Sequence, residues 1–381
     1  MSWHGIDGHD EVVEQFRRAI GRGRLASSFL FAGPAGIGKR SFALKLAQAM
    51  LCQTRPEEAL DPCDACPGCS QVVAGTHPDV MRVAKPEGKA FIPVELFIGD
   101  AEHRRREGLC HDISLKPYMG GRKIAIIDDA DYLNPEGANA LLKTLEEPSP
   151  HAVLILLAAD ASPLPGTILS RCQWVRFGSL PEEFVARKVR EALAAKASQP
   201  PVRGKKAEPP PAVSAEEIAF VSRFSGGSIE QAARLAGSGL HPLKRQILTQ
   251  LPEMDAAAAL DMAAAIDKWA RDQVKEAHVK MESPEGHAVR RWASRLALAA
   301  VASAFGDAGV LAATGSAARP INADQPTTLA ALAAWPAEAT AQAVGILADA
   351  QAHIDRYVHT ELATENALVQ LSRLRPPVAR K

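Results

Sequence analysis

Apolar positions fall along this chain in two rhythms. In its first part, short apolar runs at 29–32, 80–83, 123–127, 153–158 and 173–177 alternate with segments whose apolar residues recur at helical spacing. Five strand patterns separated by helices predict a parallel α/β sheet within residues 1–178, because parallel neighbours need a crossover and the crossover is usually a helix. The helix over 40–51 presents Phe42, Leu44, Leu46, Ala47 and Met50 at that spacing. A second helix opens at Asn134, a capping residue, with Pro135 in its first turn. It carries Ala138, Leu141, Leu142 and Leu145 as one stripe and stops before Pro148.

Past Leu180 the strand rhythm ends. Residues 181–197 are helical and charged, and 199–213, with five prolines and the Lys205-Lys206 pair, form an exposed linker or loop. Ser214 with Glu217 and Ser228 with Gln231 begin two short capped helices on either side of Gly226-Gly227, so 179–240 is a small helical domain. Residues 241–381 are alanine-rich and helical over 254–269, 286–304 and 336–371, with a loose stretch at 314–328. Nothing there has the look of a catalytic site, and a packing or assembly role is the simplest reading. Its tryptophans, Trp269, Trp292 and Trp335, suit packing better than base stacking.

Charge and composition narrow the partners. The 381 residues suit two or three domains, and 44 basic residues balance 44 acidic ones, so no global field draws nucleic acid. Contact with DNA is therefore local or shared. The run from His103 to Arg106 is a candidate phosphate contact, although charge runs are more often solvated helix faces. The amino end lacks a signal-like stretch, and wholly apolar runs such as 152–159 fall short of the roughly 20 residues that span a bilayer. A cytoplasmic protein without a membrane partner is expected.

Between the first strand and the helix that follows, residues 33–40 read Gly-Pro-Ala-Gly-Ile-Gly-Lys-Arg. This fits the Walker A pattern through Lys39 and departs from it at Arg40, where the pattern has Ser or Thr. The glycines turn backbone N–H groups onto phosphate, the lysine carries charge to the outer phosphates, and the missing hydroxyl would ligate Mg²⁺. Arginine cannot ligate a cation, and Ser41 is no substitute, since one step along a helix turns a side chain by about 100°. The third strand delivers Asp128 in Walker B fashion, followed by Asp129. Gly33, Gly36, Gly38, Lys39 and Asp128 are the candidate nucleotide-binding residues. Lys39 either holds ATP without hydrolysis or persists in an empty loop.

Four of six cysteines, Cys52, Cys63, Cys66 and Cys69, carry two successive Cys-x-x-Cys steps with Pro62, Pro67 and Gly68 supplying turns. In a reducing compartment this spacing predicts a structural Zn²⁺ site, whose four thiolates leave no position for water. Cys110 and Cys172 stand apart, and His77 is read as a loop histidine.

The run 139–148, Asn-Ala-Leu-Leu-Lys-Thr-Leu-Glu-Glu-Pro, followed at 167–172 by Thr-Ile-Leu-Ser-Arg-Cys, resembles the clamp-loader branch of the AAA+ ATPases. The four-cysteine insertion is similar to that of the bacterial clamp-loader subunits. The resemblance covers roughly residues 5–178, with its motifs in order. It implies an AAA+ domain over 1–178 with a zinc hairpin at 52–69, a helical lid at 179–240 and an oligomerising collar at 241–381. In active members a Glu follows the Walker B aspartate to polarise water, and Asp129 is one methylene short of that. A polar sensor in those members faces Ala158-Ala159 here. The Ser-Arg-Cys arginine reaches the γ-phosphate held by the neighbouring subunit, which makes Arg171 a trans-acting finger.

Three losses at one phosphate site beside a retained finger describe a non-motor, stator subunit of a ring that loads a sliding clamp onto primed DNA. The implied partners are gamma/tau-type and delta-type subunits, the clamp and, through the ring, primer-template DNA. The alternatives are an ATP-hydrolysing gamma-type motor and a zinc-stabilised nucleotide-binding adaptor outside replication.

Overall fold

Five strands form at the apolar runs: β1 (Ser28–Ala32), β2 (Val80–Val83), β3 (Lys123–Ile127), β4 (Ala152–Ala158) and β5 (Gln173–Arg176). They pair in parallel in the order β2-β3-β4-β1-β5. The computed structural model describes residues 3–86, 89–103, 106–119, 121–197, 213–316, 319–356 and 359–376. It divides into two units, Met1–Phe184 and Val185–Lys381.

In the first unit α1 (Asp10–Gly21) precedes the sheet, and the helices between strands are α2 (Lys39–Met50), α3 (Pro67–Ala74), α4 (Glu95–Ile98), α5 (Leu109–Asp112), α6 (Pro135–Glu146) and α7 (Gly166–Leu169). Successive side chains of a strand point to opposite faces. Accordingly Phe29 and Phe31 join Phe16, Phe42 and Phe177 in one core, while Leu30 joins Phe97, Leu141 and Leu156 in the other. The aromatic core packs with Phe16 to Phe29 and Phe31 to Phe177 centroids 5.0 and 5.1 Å apart. Asn134 caps α6 by accepting the Gly137 N–H at 2.8 Å, as its position predicts.

Helix α8 (Glu182–Ala197) carries the chain across the boundary between the units, and residues 198–212, where the expected linker falls, lie outside the described residues. The second unit contains α9 (Ala215–Phe224), α10 (Ile229–Leu235), α11 (Leu240–Gln250), α12 (Ala256–Glu276), α13 (Pro284–Thr314), α14 (Pro326–Ala333), α15 (Ala337–Asp355) and α16 (Thr360–Leu374). Ser214 and Ser228 cap α9 and α10 through the N–H groups of Glu217 and Gln231. The Glu217 carboxylate accepts from Gly237 N at 2.8 Å, so it ties α9 to the turn after α10. The segments 185–240 and 241–381 fall together in this unit.

Helix α13 runs further than the sequence pattern reached, and it packs against α11, α12, α14, α15 and α16. By length and composition it could cross a bilayer, with mean hydropathy 1.8 in its most apolar window. Here Ala293, Ala297, Leu298, Val301, Ala304 and Phe305 are buried against its neighbours, as in a core helix. Trp335 packs on Phe305, Trp269 donates to Ser238 O at 2.8 Å, and Arg234 lies over the Trp292 ring at 3.6 Å. The expected helix at 336–371 is two, α15 ending at Asp355 and α16 beginning at Thr360.

Within the expected loose stretch at 314–328, residues 319–325 are non-helical, yet they are pinned. Asp307 accepts the N–H groups of Ile321 and Asn322, and Asp324 bonds His241 at 3.0 Å and Lys244 at 2.6 Å in the interior. Burial alone would raise the Asp324 carboxyl, but hydrogen bonds from His241 and Lys244, and their charge, hold it at about 2. A carboxyl held low adds stability that is present above its unfolded pKa near 4 and lost as pH falls through about 2. Urea denaturation of the wild-type chain should therefore lose about 2 kcal/mol more between pH 5 and 2 than that of Asp324→Asn.

Candidate nucleotide and metal sites

The phosphate loop leaves β1 and enters α2 between two constraints. Gly36 and Gly38 have φ of +73° and +103°, which turn their N–H groups inward at no steric cost. Gly33 has a second reason to be glycine, because a Cβ there would meet the Phe177 carbonyl oxygen at 2.2 Å. Gly33→Ala should cost about 2 kcal/mol in denaturant melts even without nucleotide. His9 Nε2 donates to Ile37 O at 2.8 Å and fixes the middle of the loop. Lys39 donates to Gly33 O at 2.5 Å and Pro34 O at 2.8 Å, so its ammonium lies across the loop mouth. Burial lowers its pKa, against the pull of Asp131 and Asp129.

The fourth arm of the site is an ion pair that the sequence did not disclose. Asp128 is 2% exposed at the end of β3, and its Oδ2 accepts from Arg40 Nε at 3.0 Å and Arg82 Nη2 at 3.4 Å. Arg82 reaches it because β2 and β3 pair in register, with Asp128 N bonded to Val83 O. The residue after Ile127 thus meets two guanidinium groups where Walker B chemistry expects Mg²⁺, and the donor set does not fit that ion. Ser41 is exposed. Asp129 sits in a left-handed conformation with φ +56°. Burial, then the charge of Asp128, raises its pKa. Ala158 is buried, and Ala159 offers only its N–H, donated to Asp131 Oδ2 at 3.3 Å.

Arg171 follows α7. Its Nη2 pairs with Glu146 Oε1 at 2.6 Å, and its Nη1 donates to Thr167 O at 3.0 Å and Ser170 Oγ at 3.2 Å. Glu146, the first acid of the Glu-Glu-Pro run, is a partner that sequence reasoning missed. Arg104 and Arg105 lie outside the described residues, and His103 is bonded to Asp100.

The cysteine cluster forms as spaced. The sulfurs of Cys52, Cys63, Cys66 and Cys69 lie within 4.8 Å of one another, with Cys63 and Cys69 3.9 Å apart. Four thiolates about 2.3 Å from a tetrahedral ion stand about 3.8 Å apart, so the cluster fits Zn²⁺. Backbone N–H groups of Gln53, Cys66 and Cys69 point at sulfurs, and α3 begins at the capping Cys66. Burial, then the neighbouring cysteine thiols, pushes Cys69 to about 12, and the Thr54 hydroxyl and nearby N–H groups draw Cys63 to about 5. Metal charge is what would let all four ionise. Trp3 Nε1 donates to Leu60 O, and His4 and Lys45 bind Asp64, which fastens the hairpin to the amino end and to α2. His77 is buried and accepts Asp79 N at 3.0 Å, as a loop residue.

A parallel sheet in this order, with a phosphate loop after β1 and an acidic pair after β3, defines an AAA+-type P-loop module. Residues 8–181 match the family described as DNA polymerase III, delta subunit. DNA polymerase III subunit delta' of Pseudomonas aeruginosa is 34% identical over 228 residues, 60% of this chain and 61% of that protein. The Bacillus subtilis subunit delta' is 30% identical, covering 47% of this chain and 51% of its own length. DNA polymerase III subunit tau of Salmonella typhimurium is 27% identical over 68% of this chain and 37% of its length. The chain thus spans less than two thirds of each of these relatives.

Proposed function

We propose that this chain is a non-motor subunit of a bacterial DNA polymerase III clamp loader, of the delta-prime type. It would sit in the cytoplasm beside gamma/tau-type and delta-type subunits and help place a sliding clamp on primed DNA. Polymerisation belongs to other chains. The observation that carries this reading is the pairing of Arg40 with Asp128, which blocks the hydrolytic metal position in a module that keeps Arg171 at its surface. Asp129 and Ala158-Ala159 support it from the same site, since each removes a group that would act on the γ-phosphate. The gamma-type motor reading meets all three losses. An adaptor outside replication remains the reading to adopt if the chain fails to join a ring.

The test is reconstitution with motor-type and delta-type subunits, clamp and primed DNA. The chain should enter the ring and support clamp loading, while the purified chain alone shows background ATP turnover with Mg²⁺. Robust turnover by the chain alone would overturn the stator reading.

A further inference from the structure

A loop that binds phosphate has to turn N–H groups inward and carbonyl oxygens away, because a carbonyl dipole aimed into the cradle repels the anion. Three carbonyls of this loop are held by protein donors. Lys39 takes those of Gly33 and Pro34, and His9, which lies outside the loop's sequence pattern, takes that of Ile37. The last contact sets a direction. The C=O and N–H of a trans peptide unit point opposite ways, so an Ile37 carbonyl turned to His9 aims the Gly38 N–H away from the imidazole. Gly38, at φ +103° and without a Cβ, does little by itself to keep that peptide from turning over. The imidazole supplies the restraint that the glycine lacks.

The His9 ring is itself placed from two sides. The His9 carbonyl accepts the N–H groups of Val12 and Val13 at 3.0 and 3.1 Å, which ties the residue to the start of α1. The buried ring meets that of Phe177 edge to face, with centroids 4.8 Å apart. Phe177 follows β5, bonds Ala32 O through its N–H at 2.8 Å, and carries the carbonyl that excludes a Cβ at Gly33. One residue at the end of the sheet thus backs the loop directly at Gly33 and through His9 at Ile37.

We propose that His9 is a positioning residue of the phosphate loop, whose Nε2–H holds the Ile37–Gly38 peptide in the orientation that offers the Gly38 N–H to the diphosphate of a nucleotide. Without that donor the Ile37 carbonyl is free to turn inward, which takes one hydrogen-bond donor from the diphosphate and sets an acceptor in its place. The inference rests on the loop being a nucleotide site, and it does not depend on Arg40, Arg171 or ring membership.

The experiment is calorimetric titration of the full-length protein with ADP in one buffer, for the wild type, His9→Phe and His9→Gln, with melting curves to establish that each is folded. His9→Phe keeps a ring against Phe177 but has no donor, and it should bind ADP at least about tenfold more weakly than the wild type. His9→Gln sets an amide N–H near the place of Nε2 and should recover the affinity to within about threefold of wild type. If His9→Phe does not fold, His9→Asn, whose amide stops short of Ile37, is held to the same loss. A residue that only stabilised the fold would lower the melting temperature of His9→Phe and leave its ADP affinity at the wild-type value. That result, or a His9→Gln protein that binds no better than His9→Phe, would overturn the inference while the nucleotide site stands. No wild-type binding of millimolar ADP would overturn the nucleotide site, and this inference with it.

Discussion

Replacing Arg171 by alanine is expected to lower the DNA- and clamp-stimulated ATP turnover of a reconstituted ring by about a thousandfold at the neighbouring site it is proposed to complete, with assembly unchanged. The effect is large because a guanidinium in the phosphoryl-transfer site neutralises charge that develops on oxygen in the transition state. In the isolated chain Arg171 is held by Glu146, and the two side chains are 34% and 48% exposed. Such a pair contributes only about 0–1 kcal/mol, so exchange of Glu146 for a neighbour's phosphate costs little. Glu146 thus keeps the guanidinium extended beside α7 without locking it. Arg171→Lys should recover little, since a point charge lacks the two-pronged geometry. Turnover assayed per ring, with assembly followed by size-exclusion chromatography, separates loss of the finger from loss of the subunit. Unchanged turnover would make Arg171 a corner-closing residue, and the chain's place in the ring would have to rest on its helical unit alone.

The sheet could be read from the sequence because its central strands β1, β3 and β4 are buried on both faces and so leave unbroken apolar runs; predicted and observed bounds of all five strands agree to a residue. The metal cluster was legible because close cysteine spacing brings four sulfurs together with little help from the rest of the fold. The pairing of Arg40 with Asp128 was not, although both residues had been singled out. It depends on a side-chain direction at the start of α2, and Arg82 joins only through the β2–β3 register, a long-range fact with no local sequence signal. The nearest hint was a lone arginine within an otherwise apolar strand, Val80-Met81-Arg82-Val83. Glu146 belongs to the Glu-Glu-Pro motif, but its bond to Arg171 arises from the packing of α6 on α7. In the second unit, alanine content foretold helices but not where α13 ends or how 319–325 is pinned. Alanine favours a helix without marking its face or its stop.

Stripping zinc should be the most damaging change to the first unit, lowering its melting temperature by roughly 10–20 °C while the helical unit melts where it did before. The cysteine hairpin is more than a surface appendage. Cys52 follows the last turn of α2, and Gln48 Nε2 of that helix donates to Cys69 O at 3.2 Å. Gly68 lies so close to the Leu51 carbonyl that a Cβ would stand 2.6 Å from it. Removal of the ion leaves four sulfurs within 4.8 Å with no shared cation. Cys69 is fully buried among them, so relaxation must move α3 or the end of α2. Structural zinc contributes about 10 kcal/mol or more in peptides that lack other cores; here the aromatic core around Phe16 and Phe42 retains part of the fold, so the loss is smaller. Cys69→Ser and dialysis against a strong chelator should agree, each checked by metal content and by a two-transition melt. A chain that carries no zinc as purified and melts unchanged after chelation would make the cluster a thiol-packed hairpin, tied to the amino end through Trp3 and His4 and to α2 through Lys45 and Gln48.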